Sequence, residues 1–414
     1  MQPLPRYRIY SRFRDYRAIA SEVLTGRAGR GDGAHDLETA IAKQNDVAHA
    51  LCIAKARVGI FVAIRALIEP GQKVVLSPYT ISDVVNMVIC AGGIPVFADL
   101  ESDTCNVDAA DVERLIDGDT GAVMITHLHG LACDVDRISA VCRERGVALV
   151  EDAAQAFGAR VGGRRVGTFG DAGIYSFGQY KNLNSFFGGM VVTSNPDLAA
   201  KLRAEIDAFP SQEIGYYLSK VAGGVASDLV TWPPIFKSLT YPVFRYGFLH
   251  DVDFLNSQMT VDADPQIKRD LPESYLRRMT PIQARIVLGQ LADVDDHIRA
   301  RVEYAKLYHQ GLSDIPELGL PPLRTDFTHT YSYFPVQTED RDALLRHLMR
   351  DKRDMAAQHL HNCADLPCFS EFHRDCPNAR RTARSVILLP TYPRYSNVDV
   401  ERNIASIRHY FGRA

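Results

Sequence analysis

Val147-Ala148-Leu149-Val150-Glu151-Asp152-Ala153-Ala154-Gln155-Ala156-Phe157-Gly158-Ala159 is the stretch on which the fold turns. Four apolar residues run into two consecutive acids and then into small residues. A run this short and this apolar reads as a strand, Val147 to Glu151, covered on both faces. Ligands of a parallel sheet gather beyond the carboxyl ends of its strands, and Asp152 stands just there.

The same rhythm extends in both directions. Upstream lie a helix-like stretch, Arg57 to Ile68, ended by Pro70-Gly71, and a strand, Lys73 to Leu76. A helix (Ser82 to Ala91), a strand (Ile94 to Ala98), a helix (Ala109 to Ile116), a strand (Ala122 to Thr126) and a helix (Val135 to Arg145) follow. Downstream, further strands fall at Ala172 to Phe177 and Met190 to Thr193. Short apolar strands alternating with helical patterns predict βαβ units and a largely parallel sheet, hence an α/β large domain over residues 1–207. Residues 208–272 break the rhythm with Tyr216, Tyr217, Trp232, Pro233, Pro234, Tyr241 and Tyr246 and no clean period. They read as an excursion over the mouth of a site or a subunit interface, or as a docking surface for a bulky or lipid-linked substrate. Thr280 to Leu312 reads as one long helix, and residues 273–414 as a smaller α+β domain with strands at Tyr333 to Val336 and Val386 to Leu389.

Composition narrows the class of function. The 414 residues are 46% hydrophobic and 23% charged, with net charge −3 and no long basic run, so nucleic acid and anionic membrane are poor default partners. The arginine-rich opening, Arg6 to Arg17, reads as a solvated amphipathic lead-in, since no apolar core of a targeting signal follows it. No stretch of about 18 apolar residues predicts a spanning helix. Eight scattered cysteines suit a reducing cytoplasm better than a disulfide framework. Cys363, Cys368 and Cys376, with His359, His361 and His373, lack paired C-x-x-C spacing, and no metal site is expected.

The chemistry-bearing residues follow from the strand ends. Twenty-four residues beyond Asp152 a second strand ends at Ser176, and its loop presents Lys181 and Asn182. Lys43 and Lys55 precede the first strands of this reading, Lys73 opens one, and Lys201 lies in a helix, which leaves Lys181 alone after a carboxyl end. A lysine, an acid and a hydroxyl so placed are what a pyridoxal 5′-phosphate (PLP) enzyme needs: an amine for the cofactor carbonyl, a carboxylate for the pyridine nitrogen, donors for the phosphate. On spacing alone the same residues equally describe a helix-capping aspartate and a surface lysine.

The wording of six segments is more specific: PGQKVVLSPYT (70–80), GGIPVFADLESDTCNVD (92–108), THLHGLACDVDRI (126–138), VEDAAQAFGARVGGRRVGTFGDAGIYSF (150–177), KNLNSFFGGMVVTSN (181–195) and RRMTPIQARIVLGQL (277–291). In this order they resemble the DegT-type family of fold-type-I PLP enzymes, best known as sugar-nucleotide aminotransferases. The resemblance implies a seven-stranded, mostly parallel sheet, PLP as cofactor and a homodimer with active sites at the interface. It makes Lys181 the lysine that bonds the cofactor and shuttles the substrate proton. Asp152 becomes the partner of the ring nitrogen, Gln155 a neighbour of the ring hydroxyl, and Ser176 a phosphate ligand.

Some positions depart from the family pattern. Its Gly-Thr phosphate turn falls at Ala56-Arg57, where an arginine and helix-start amides still suit a dianion. The aromatic that stacks on the ring aligns with Ile81, with Tyr79 close by. An asparagine that reaches the partner's phosphate aligns with Leu276, and Arg277 or Arg278 is the expected substitute. His129 is a candidate substrate contact and His127 a supporting residue behind it. The resemblance implies transfer of an amino group from an amino acid, L-glutamate, to a keto sugar, nucleotide-linked. The alternatives are a cyclitol or other non-nucleotide ketone, a PLP-dependent sugar dehydratase, and a non-catalytic relative. Family dehydratases carry histidine at the lysine position, and the retained Lys181 argues against that reading.

Overall fold

Seven short apolar strands make one sheet: β1 (His49–Ile53), β2 (Lys73–Leu76), β3 (Ile94–Phe97), β4 (Thr120–Thr126), β5 (Ala148–Asp152), β6 (Ala172–Ser176) and β7 (Gly189–Thr193). Their spatial order is β1-β7-β6-β5-β4-β2-β3. Every neighbouring pair is parallel except those of β7, which runs antiparallel to β1 and β6. The computed structural model describes residues 2–9, 11–252, 262, 264–357 and 360–413.

Helices α1 (Phe13–Leu24), α2 (Gly33–Asn45), α3 (Ala56–Leu67), α4 (Ser82–Cys90), α5 (Ala109–Leu115), α6 (Val135–Arg145) and α7 (Pro196–Asp207) flank the sheet or lead into it. Their ends carry the expected signals. Asp108 accepts from Ala110 N at 2.9 Å to start α5, and Asn195 caps α7 ahead of Pro196. Gly146 ends α6 at φ 66°, a left-handed value that glycine adopts without strain. Val58, Ile60, Val62 and Ile64 of α3 are buried on one side of the sheet. Val112, Val135 and Ile138, from α5 and α6, close the other.

The carboxyl-terminal part forms a three-stranded antiparallel sheet, β8 (Phe334–Gln337), β9 (Ala356–Ala357) and β10 (Val386–Leu389), with β10 central. This part also contains helices α11 (Val294–Leu312), α12 (Arg341–Arg350), α13 (Pro377–Ser385) and α14 (Asn397–Tyr410).

Several expectations need correction. Thr280 to Leu312 is two helices, α10 (Pro281–Leu288) and α11, separated by a turn at Leu291–Asp293. Thr280 caps α10 in a box with Gln283, and the buried Gln290 leaves the helix path to bond both the N–H and the carbonyl of Asn184. Residues 208–272 hold regular structure, α8 (Ile214–Val230) and α9 (Tyr241–Leu249), joined by tight and wide turns over Pro233–Ile235 and Phe236–Thr240. Their periodicity is blurred because apolar residues occupy both the covered and the open faces. The opening segment is not a solvated lead-in: Ile9 is fully buried, and Arg6 meets Asp354 in a buried pair at 2.5–2.8 Å. The first strand, β1, which follows α2 directly, lies ahead of the alternation read from the sequence, which starts at Arg57.

Candidate active site

Strand β5 ends in the two acids, and each has its own surroundings. Glu151 is fully buried and accepts from the backbone N–H groups of Gly167, Phe169 and Gly170 at 2.8, 2.5 and 2.8 Å. His127 Nδ1 accepts from Cys133 N at 3.1 Å, which leaves the proton on Nε2 to be donated to Glu151 at 3.2 Å. His127 thus stands behind the site. Asp152 accepts from Ala154 N at 3.0 Å, and among the described residues no cation lies within ion-pair distance of it. Burial raises its carboxyl pKa, against the pull of Ala154 N–H, Lys181 and His127. A desolvated carboxylate with spare acceptor capacity is suited to a cationic group brought by a ligand.

Lys181 rises from the loop between β6 and β7, whose antiparallel register pairs Ser176 with Gly189. Burial lowers its ammonium pKa, and the nearby Asp152 opposes the shift. Gly178 leaves room beside it: a Cβ there would stand 3.5 Å from Ser176 Oγ and 3.6 Å from Lys181 Cγ. Gln155 Oε1 accepts from His129 N at 2.9 Å. His129 is fully buried at φ 57°, with no partner for either ring nitrogen among the described residues. Burial first and Lys181 second push its pKa down to about 3, so the imidazole is neutral at ordinary pH. Ser332, missed in the sequence reading, donates to Gln155 O at 2.5 Å and sits 3.4 Å from Asn182 Oδ1. It ties the carboxyl-terminal part to both site loops; a lone serine in a polar stretch carries no sequence signal.

Helix α3 begins at this same edge of the sheet, because β1 runs parallel to β6 with β7 between them. A Cβ on Gly189 would lie 2.7 Å from Ala56 Cα, so glycine lets β7 pass against the helix start. Lys55 therefore also follows a strand's carboxyl end, which corrects the expectation that Lys181 alone does. Its ammonium lies 4.0 Å over the Tyr275 ring and 3.2 Å from Ser274 O. Burial, then Arg57, Lys220 and Arg277, push its pKa down to about 8. Cations gathered around a helix amino terminus favour an anion.

The other candidate positions are dispersed. The Arg57 guanidinium is held by Asp83, which also takes Lys268, so it is not directed solely at the helix start. Ile81 is half-buried as the residue preceding α4, and Tyr79 is fully buried in the core. Arg277 turns to the carbonyls of Glu273 and Leu276 at 3.1 and 2.9 Å, while Arg278 reaches Ser211 Oγ at 3.3 Å. The Arg277 carbonyl accepts from Ala54 N at 3.3 Å, which brings this segment against the end of β1. In the cysteine-rich loop, Cys363 Sγ bonds Thr80 O, His361 bonds Asp262 O, and His373 bonds Ala364 O. His359 of that cluster lies outside the described residues.

Residues 14–223 and 253–408 match the DegT/DnrJ/EryC1/StrS aminotransferase family. The chain belongs to that family. It is similar to the spore coat polysaccharide biosynthesis protein SpsC of Bacillus subtilis, 27% identical over 94% of this chain and 92% of that protein. The GDP-perosamine synthase of Escherichia coli O157:H7 is 28% identical over 93% and 92%. Among solved structures, DesV of S. venezuelae matches with a TM-score of 0.75 and 26% identity over 97% and 95% of the two chains. The aminotransferase TlmJ of Streptoalloteichus hindustanus matches with 0.77 and 25% over 99% of each.

The DegT-family chain is thus a transaminase with a fold-type-I large domain. Asp152, Lys181 and the start of α3 with Lys55 lie at one edge of the sheet. No helix among the described residues is long and apolar enough to cross a membrane.

Proposed function

We propose that the enzyme binds PLP at this edge and moves an amino group from L-glutamate to the keto carbon of a nucleotide-linked sugar, in the cytoplasm and as a homodimer. The observation that carries the reading is the placement of Lys181 and Asp152: a desolvated amine beside a buried carboxylate that has no cation of its own within ion-pair distance among the described residues. These residues fit the cofactor. Asp152 would face the ring nitrogen, His129 and Gln155 would flank the ring, and Ser176 with the start of α3 at Ala56 and Lys55 would receive the phosphate.

When bound, the cofactor supplies an electron sink for the carbon that loses its proton. Lys181 holds and returns that proton, and burial shifts its ammonium toward the free amine. Asp152 keeps a positive charge on its ligand, because an isolated carboxylate in a dry pocket stabilises a neighbouring cation strongly. Glu151 and His127 hold the end of β5 in place, and Ser332 fixes Gln155 and Asn182. The anion site at Lys55 and Lys220 could extend to the phosphates of the acceptor.

Purified enzyme incubated with PLP and glutamate should lose the absorbance band of the lysine-bound cofactor, and the pyridoxamine form should then aminate members of a keto-sugar-nucleotide panel, followed by mass spectrometry. A protein that stays colourless with PLP refutes the reading. Water loss from the sugar without nitrogen gain would make the enzyme a dehydratase.

A further inference from the structure

Two helices of the carboxyl-terminal part bring together three side chains able to ligate a metal, none of them used by the candidate active site. His347 and Asp351 stand four residues apart at the end of α12, and Asp351 N still donates to His347 O at 3.0 Å. The helical turn therefore runs through both residues and sets them on one face. His409 lies in the last turn of α14, which packs against α12. A nitrogen of each imidazole and an oxygen of the carboxylate all lie within 4.8 Å of one another.

Part of the arrangement is already at ligand spacing. His347 Nε2 is 3.6 Å from Asp351 Oδ2. Two bonds of about 2.0–2.2 Å to a shared ion, at an angle of about 120°, span that distance. Ser406 of α14 holds both groups: His347 Nε2 donates to its carbonyl at 3.1 Å, and its hydroxyl donates to Asp351 Oδ2 at 2.7 Å. When an ion binds, the ring proton of His347 passes to Nδ1 and the Nε2 lone pair turns to the metal. The remaining adjustment is a swing of His409, an exposed side chain whose ring centroid is 5.5 Å from that of His347.

The local charge also suits a cation. Among the described residues, no lysine or arginine stands within ion-pair distance of Asp351. Arg346 and Arg408, the basic neighbours along the two helices, are held by Asp251 and Asp314 at 2.6 Å each. Two imidazoles and one carboxylate select a borderline divalent ion such as Zn²⁺, whereas Mg²⁺ and Ca²⁺ take oxygen ligands. We propose that His347, Asp351 and His409 form a Zn²⁺ site, with water completing the coordination. The ion staples α12 to α14. The chain leaving α12 also anchors the amino-terminal segment, through Arg6 on Asp354 and Arg353 on Gln2 O, so the staple steadies that anchorage too. This departs from the expectation of no metal, which weighed only the cysteine-rich loop. The α14 ligand lies far along the chain from the pair on α12, and only the fold joins them.

The PLP-loaded enzyme, freed of metal by a chelator and dialysed, should take up one Zn²⁺ per chain in a calorimetric titration. Its thermal midpoint should rise with Zn²⁺ and stay unchanged with Mg²⁺ at the same concentration. His409→Ala and Asp351→Asn alter exposed side chains, so without metal both should keep a midpoint no lower than the parent's. Losing a partner behind a metal ligand already costs about tenfold in affinity, so losing a ligand should weaken uptake by more than that. Both variants should also lose the rise in midpoint, while half-transamination with glutamate proceeds as in the parent. No uptake would overturn the assignment, as would equal uptake by the parent and both variants, or an equal shift with Mg²⁺.

Discussion

Glu151 and Asp152 are consecutive residues of one strand with separate duties: Glu151 is clasped by three backbone N–H groups and His127, while Asp152 takes one backbone N–H and faces the field of Lys181. Alternation along a strand makes this division possible, since adjacent side chains leave opposite faces of the sheet. One acid is structural and holds the other in place.

Glu151→Gln should therefore destabilise the fold although it barely changes shape. The amide must turn an NH₂ group toward N–H donors, leaving at least one buried donor unmatched. About 2–4 kcal/mol is expected, read as a lower urea midpoint at unchanged slope. A loss below about 0.5 kcal/mol would show that the clasp contributes nothing net.

Asp152→Asn should retain cofactor and lose rate. The amide keeps the bond from Ala154 N through its oxygen, but it cannot hold a positive charge on the ligand. Turnover should fall at least roughly a hundredfold, about 2.7 kcal/mol in the barrier. Binding measured by cofactor absorbance should change far less. Parent-like turnover would mean that another acid faces the ring.

The sheet was legible because each of its parallel strands has one apolar run and α4, α5 and α6 cross between successive strands from β2 to β5, and Ala148–Asp152 and Ala172–Ser176 fall within a residue of their expected ends. Lys181 and Asp152 were legible because strand ends at one sheet edge converge in space. Lys55 was not. Its strand, His49–Ile53, is paired only to the antiparallel β7, and its neighbours Lys220 and Arg277 are more than 150 residues away in sequence. The break at Gln290 was hidden for a related reason, since the side chain that ends the helical path finds its partner in the loop at Asn184.

Gly189→Ala should weaken the helix start itself. The new Cβ would stand 2.7–2.8 Å from Ala56 Cα, Ala56 N and Tyr175 O, all backbone atoms that cannot swing aside. A cost of about 1–3 kcal/mol is expected, with weaker cofactor binding. The thermal midpoint and a PLP titration would measure both, and an unchanged midpoint would refute the close approach.

Lys55 gives a pH signature. Its amine is charged below about 8 and loses the proton as pH rises through that value. A bound dianion favours the charged form, so affinity for inorganic phosphate should be full below pH 8 and decline above it. Lys55→Met should remove the decline and weaken binding roughly tenfold at pH 7. Calorimetric titrations at pH 7 and pH 9 check both, and a parent affinity that is equal at the two values would remove Lys55 from the anion site.

The sharpest test separates the two lysines that share the sheet edge. Both amines are depressed by burial, so reactivity alone does not choose between them. Their neighbours do. The second influence on Lys181 is the carboxylate of Asp152, whereas Lys55 has Arg57, Lys220 and Arg277 around it. A ligand that is cationic at its ring and dianionic at its phosphate is oriented by that contrast, ring toward Asp152 and phosphate toward Lys55. Borohydride reduction of the PLP-loaded enzyme followed by digestion should place the phosphopyridoxyl group on Lys181 and leave Lys55 unmodified. Lys181→Ala should bind PLP without a reducible bond and lose turnover, while Lys55→Met should keep the label and need more cofactor to saturate. Label recovered on Lys55 would reverse the ligand in the site while leaving the fold as described.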